Sequence, residues 1–316
     1  MMNRRGWLGT MAGGAAVAGV FGGMNGPTPA RAEDEGRMVA ENPVRLRLCS
    51  QFGPMPGAND QEKIANAVKW GLDAMELPGG VVGQVEYFKS LIKDTPLVYS
   101  AVCFGSMGGA LVSENKSRRG PAMDELKQVL EAAGELGSTG VIYVPAFNGQ
   151  TKLTNQEIRE ILLDKLPEIG EFAVKCGTRI LFEPLNRGEA YFLRQVADGA
   201  AIAFDCKSDG ICVMGDLYHM GREETSACGA FISAGKRLHH VHLASFPTRQ
   251  MPGTDPGDAE FYRSGFCGLK MIGYDKFCSF ECGCRGEEDF LKSLTFLRET
   301  WDKADPAAEF GWVPLP

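Results

Sequence analysis

The sequence predicts a single-domain α/β protein, a (β/α)8 TIM barrel, and three observations carry that prediction. Eight short apolar runs alternate with amphipathic stretches from Val44 onward. They start about 25 to 40 residues apart, the length of one βα unit, and eight units fill roughly 260 residues, the usual size of the closed barrel. The first run leads into "CSQFGPMPGAND", Cys49 to Asp60, which lacks the GxGxxG fingerprint expected after the first strand of an open, dinucleotide-binding sheet.

The strands read in order as Arg45–Phe52, Ala74–Pro78, Leu97–Phe104, Val141–Phe147, Arg179–Pro184, Ile211–Asp216, Leu238–Ala244 and Phe277–Cys282. Four helices have clear signals. One follows the first strand in "DQEKIANAVKWG", and another runs in behind Pro121, which suits a first helical turn. A third opens with Thr154 and Glu157 at capping-box spacing and stops at Gly177; the fourth, "EEDFLKSLTFLRETW", closes the set. The loops "QFGPMPGAND" and "CFGSMGGALVSENKSRRG" are long enough to act as lids over one end.

Residues 1–32 stand outside this pattern. "NRRGWLG" carries an arginine pair, a Gly/Ala-rich apolar run follows, and Ala30 and Ala32 have the spacing of a small-residue cleavage site. This reads as a twin-arginine export signal, which places the mature protein in the periplasm; a retained membrane anchor is the other reading, against which the short run argues. The expected layout is signal 1–32, linker 33–43, barrel 44–304 and a Pro-rich tail 305–316 that docks on a neighbour or on its own barrel. Cleavage would remove Arg4, Arg5 and Arg31, leaving 30 Lys and Arg against 40 Asp and Glu, a net of −10. That charge opposes binding to nucleic-acid phosphates or anionic membranes. The ten cysteines show no CxxC pair, which argues against zinc-finger and thioredoxin chemistry. Cys282 and Cys284 read as alternating along one strand, awkward geometry for a mutual bridge.

In a barrel of this kind, chemistry gathers at the C-terminal ends of the strands. Glu183, Asp216, His242 and Glu281 lie at or near the ends of the fifth to eighth runs, so four consecutive strands each deliver one candidate metal ligand to the same rim. Three carboxylates and one imidazole suit Mn²⁺, Mg²⁺ or Co²⁺ better than a thiolate site would. Each residue also has a plain structural reading: a solvated charge for the glutamates, a turn residue for Asp216, a packed histidine for His242. His240 shares the face of His242 by strand alternation and is the alternative ligand on that strand.

The combination "FEPLNRGE", "GDLYHM", "HVHLA" and "SFECG" resembles the xylose-isomerase-like superfamily of sugar isomerases and epimerases, with hexulose 3-epimerases and hydroxypyruvate isomerases the closest patterns. The resemblance implies that Glu183, Asp216, His242 and Glu281 bind one divalent ion, Mn²⁺ before Mg²⁺, Co²⁺ or Zn²⁺. It further implies that Glu183 and Glu281 double as the catalytic acid and base, and that Glu189, His219 and Arg249 contact the substrate. Arg249 lies in a loop one residue longer than the epimerase pattern. Beside these stand a surface ion pair for Arg187 with Glu189, and simple packing of a helix start by Tyr218 and His219.

The implied reaction is proton abstraction next to a carbonyl of a small keto-sugar, through an enediolate, giving an epimer or an aldose–ketose isomer. Two alternatives stay open: a metal-dependent lyase or hydrolase on oxidised glycosides, and a barrel that binds sugar or metal without turnover. The endonuclease branch, with its histidine-rich trinuclear site, fits poorly, since the four histidines all lie at or after residue 219. A sugar substrate and no nucleic acid are thus the expected partners, with a homo-oligomer left open.

Overall fold

The computed structural model describes residues 44–312. The segments expected to be a twin-arginine signal, 1–32, and a linker, 33–43, lie outside the described residues. Eight parallel strands close into a barrel in sequence order. They are β1 Leu48–Gln51, β2 Ala74–Pro78, β3 Val98–Gly105, β4 Val141–Tyr143, β5 Ile180–Phe182, β6 Ile211–Asp216, β7 Leu238–Leu243 and β8 Cys278–Phe280. All eight lie within or beside the apolar runs, several of them shorter. β4 stops before Pro145, which has no N–H to donate to a ladder. Cys282 and Cys284 consequently lie past β8 rather than on it, and all ten cysteines are free thiols.

The four expected helices form as α1 Asp60–Lys69, α3 Arg119–Glu135, α4 Asn155–Lys175 and α9 Glu287–Lys303. The capping box is present, with the Thr154 hydroxyl accepting from Glu157 N and the Glu157 carboxylate accepting from Thr154 N. Further helices are α2 Val85–Ile92, α5 Val196–Asp205, α6 Leu217–Glu223, α7 Ala227–Ala234, α8 Asp258–Met271 and α10 Pro306–Phe310. α7, "ACGAFISA", is apolar almost all round, so it lacks the periodic signal of a surface helix. One face of it packs closely on α8, where a Cβ at Gly268 would meet the Cys228 carbonyl oxygen at 2.8 Å, while Ile232 is exposed on another.

Side chains alternate along each strand between lumen and helix layer. Met75, Leu77, Tyr99, Phe182, Val213 and Phe280 face outward into the main core beneath the helices. Ala101, Ile142, Leu181, Cys212 and Met214 meet inside the barrel as a separate buried cluster. That cluster sits one step below the strand ends on β5 and β6, where Leu181 precedes Glu183 and Met214 precedes Asp216 by two residues.

The loop from Cys103 to Gly120 forms two short 3₁₀ turns, with Leu111 and Val112 buried and the Thr151 hydroxyl donating to the Val112 carbonyl at 3.0 Å. It is packed against its neighbours rather than free. The described part of the tail turns back on its own barrel: Asp305 caps α10, and Glu309 pairs with Arg263 of α8 at 2.8 Å.

Candidate metal centre and active site

The four rim residues converge. One donor atom each from Glu183, Asp216, His242 and Glu281 lies within 4.8 Å of every other. Glu183 and Glu281 stand one residue past β5 and β8, Asp216 ends β6, and His242 is the penultimate residue of β7. The ladder sets the heights, since Asp216 is in register with His242 and His242 with Ser279, two residues before Glu281.

The two carboxylate oxygens of Asp216 have different surroundings. Its Oδ1 accepts from the Tyr218 N–H at 2.7 Å and caps α6. Its Oδ2 is buried without a hydrogen-bond partner among the described residues, and so is His242 Nδ1. This imidazole nitrogen lies 3.1 Å from Glu281 Oε2, 3.8 Å from Glu183 Oε1 and 4.0 Å from Asp216 Oδ2. Buried polar atoms are costly to leave unpaired, and a nitrogen lone pair facing three carboxylates calls for a cation between them. The donor set therefore fits a hard divalent ion, with oxygen ligands predominant.

The electrostatics of the metal-free protein agree. Burial pushes the Asp216 carboxyl well above its usual range, and the nearby Glu281 adds to it. Glu183 is raised for the same first reason. At Glu281 burial pulls the same way, but the His242 imidazole and the Arg249 guanidinium outweigh it and hold the carboxyl low. Burial alone would keep His242 neutral, yet Glu76 and Glu281 raise it well above the usual histidine range. Without an ion, a proton on His242 supplies the positive charge the carboxylates require, and metal binding would release it.

The three residues read as substrate contacts border this group. Asn186 N–H donates to His219 Nδ1 at 3.2 Å, so the neutral ring carries its proton on Nε2, 3.5 Å from Asp216 Oδ2. Burial depresses the His219 imidazole to about 3, which keeps it neutral. Glu189 accepts from Asn186 Nδ2 at 2.9 Å and stands 3.9 Å from His219 Nδ1. Arg249 donates to Glu281 Oε2 at 2.7 Å, lies over the Tyr218 ring at 4.8 Å, and reaches Glu189 at 3.8 Å. Its backbone has φ 56°, a left-handed conformation unfavourable for a residue with a Cβ. The loop holds it there, with Arg249 N–H donating to Ser245 O and Arg249 O accepting from Gly283 N–H. The surface pair of Arg187 with Glu189 does not form; Arg187 binds Glu223 at 2.9 Å, because α6 brings that nearly buried carboxylate beside it.

His240 is not brought into the carboxylate group. Its Nε2 points to Glu76 Oε2 at 2.7 Å, and the same carboxylate contacts His242 Nε2 at 3.0 Å. Glu76, in the middle of β2, is fully buried and was missed by sequence reasoning. The available signal was a carboxylate on the lumen-facing alternation of an otherwise apolar strand.

Among proteins of known activity, the chain is 29% identical over 255 residues to 3-dehydro-D-guloside 4-epimerase of Escherichia coli K12, covering 76% of this chain and 94% of the relative. The crystal structure of 3-keto-D-glucoside 4-epimerase from E. coli superposes with a TM-score of 0.71 at 25% identity, covering 81% of this chain and all of the other. D-psicose 3-epimerase from Clostridium cellulolyticum H10 superposes equally well, with a TM-score of 0.71 at 19% identity over 81% of this chain and 99% of that one, a likeness of fold. The family model described as xylose isomerase-like TIM barrel matches residues 64–300. The chain thus belongs to the xylose isomerase-like TIM-barrel family, with keto-sugar epimerases among its relatives.

Proposed function

We propose that the protein is a divalent-metal-dependent keto-sugar epimerase that moves a proton at a carbon next to a carbonyl. The observation that carries this is the pair Glu183 and Glu281, delivered by β5 and β8 to either side of one orphaned imidazole nitrogen. The epimerase activities of the relatives support the reaction class.

A cation held by Glu183, Asp216, His242 and Glu281, with Mn²⁺ favoured by the oxygen-rich donors, would polarise the carbonyl and make the neighbouring C–H more acidic. The chain's own residues divide the remaining work. Glu183 and Glu281, delivered by β5 and β8, would supply the two carboxylates that take the proton and return it. His219 offers its Nε2–H to a substrate oxygen, and Glu189 and Arg249 offer an acceptor and a donor to hydroxyls at the mouth. Return of the proton to the opposite face of the same carbon inverts it, which is epimerisation.

The test incubates the manganese-loaded protein in heavy water with hexuloses and with 3-keto-glycosides. The expected result is deuterium at the carbon beside the carbonyl together with the epimeric product. Metal uptake without exchange on either class would sink the reading and leave a binding protein.

A further inference from the structure

Glu76 is the only acidic residue on β1 to β4, and it has no place in the chemistry described so far. Its carboxylate is fully buried in the lumen, and no arginine or lysine among the described residues pairs with it. Its partners are Gln51, which donates from Nε2 at 2.8 Å, and the Nε2 atoms of His240 at 2.7 Å and His242 at 3.0 Å. An ionised carboxylate taken out of water with only an amide and two imidazoles for company is an expensive way to fill space.

The geometry points to Glu76 as the positioning residue of the candidate metal centre. By accepting the Nε2–H of His242 it fixes the tautomer and the tilt of that ring. The Nδ1 lone pair is then the one atom of the ring directed at Glu183, Asp216 and Glu281. A carboxylate behind a histidine ligand also makes the ring a stronger donor, and loss of such a partner typically costs 10- to 100-fold in metal affinity. Gln51 and His240 hold the carboxylate itself: each binds one of its oxygens, so it cannot swing away from His242. The His240 and His242 rings meet edge to face at 5.1 Å, which keeps both on the Glu76 side of the lumen. His240 therefore supports the support and stays outside the group of Glu183, Asp216 and Glu281.

This inference rests on the metal reading of the site, and the experiment separates the two. Co²⁺ is titrated into the full-length wild type, Glu76→Gln and Glu76→Asp, with visible absorption reporting the coordination and competition reporting the affinity. Glu76→Gln should weaken Co²⁺ binding by about 10- to 100-fold and alter the absorption bands, and Glu76→Asp, which keeps the charge, should recover part of the loss. Equal affinity and an identical spectrum in wild type and Glu76→Gln, whatever happens to thermal stability, would overturn the role of Glu76 alone. No uptake by the wild type would overturn the metal reading and this inference with it. Should Glu76→Gln fail to fold, wild type labelled with ¹⁵N-histidine and loaded with ¹¹³Cd²⁺ decides, because only four histidines contribute. Cadmium coupling to Nδ1 of His242 with Nε2–H retained upholds the inference; coupling to Nε2 refutes it.

Discussion

The two halves of the barrel rim are built from different materials. β5 to β8 end in or beside Glu183, Asp216, His242 and Glu281, whereas β1 to β4 end in Gln51, Pro78, Gly105 and Tyr143. The four candidate ligands Glu183, Asp216, His242 and Glu281 thus lie on one side. The one charged strand residue of the first half, Glu76, stands two residues before the end of β2 and reaches across to β7. A site assembled this way keeps its candidate ligands on four adjacent strands held in register by direct pairing.

The largest expected effect falls on the second half. Glu183→Gln and Glu281→Gln keep the shape and an oxygen donor but remove a base, so turnover should fall at least about 100-fold with each, measured together with solvent exchange of the substrate hydrogen. Near-normal exchange in both variants would leave the glutamates as ligands only and break the two-base division. A middle-sized effect is expected from residues that border the centre without belonging to it. His219→Ala and Arg249→Ala should raise KM by about tenfold, equal to about 1.4 kcal/mol, with kcat much less affected. An equal fall in kcat and kcat/KM would move either residue into the chemical step.

The smallest effect has the opposite sign. Asp216 is forced to bury a charge beside Glu183 and Glu281, and its carboxyl is raised in the folded protein. A raised carboxyl destabilises the fold once the unfolded chain ionises, from about pH 4 upward, and the penalty grows until the folded-state value is passed. Asp216→Asn should therefore melt higher than wild type when both are metal-free, by about 2–4 °C for each kcal/mol, with the gain vanishing below about pH 4. Added Mn²⁺ should reverse the ranking by stabilising only the wild type. A variant less stable at every pH would mean that the helix cap made by Asp216 Oδ1 outweighs the repulsion at Oδ2.

The same division explains what the sequence disclosed. A carboxylate or imidazole closing an apolar run is a local mismatch, and the second half of the barrel shows four of them at strand ends. The period of the runs was equally plain, so the closed barrel and its strand order were legible. Glu76 gave a weaker signal, because Leu77 and Pro78 follow it and its partner His240 is 164 positions away in the chain. Only the folded lumen brings them together. α5 and α7 escaped because their exposed faces carry small and apolar residues, Ala197, Ala201 and Phe204 on α5 and Gly229 and Ile232 on α7, in place of the polar face that marks a helix in sequence. The rotation of Arg249 toward Glu281 depends on a left-handed backbone and on hydrogen bonds to Ser245 and Gly283, none of which spacing reveals.

The buried cluster of Ala101, Ile142, Leu181, Cys212 and Met214 has a consequence for traffic. It plugs the lumen beneath the rim, so the chamber above it is a cul-de-sac with one doorway. On the proposed function, a sugar and its epimer would enter and leave through that same end. On that reading both would pass Arg249, Tyr218 and Glu189, which stand together there.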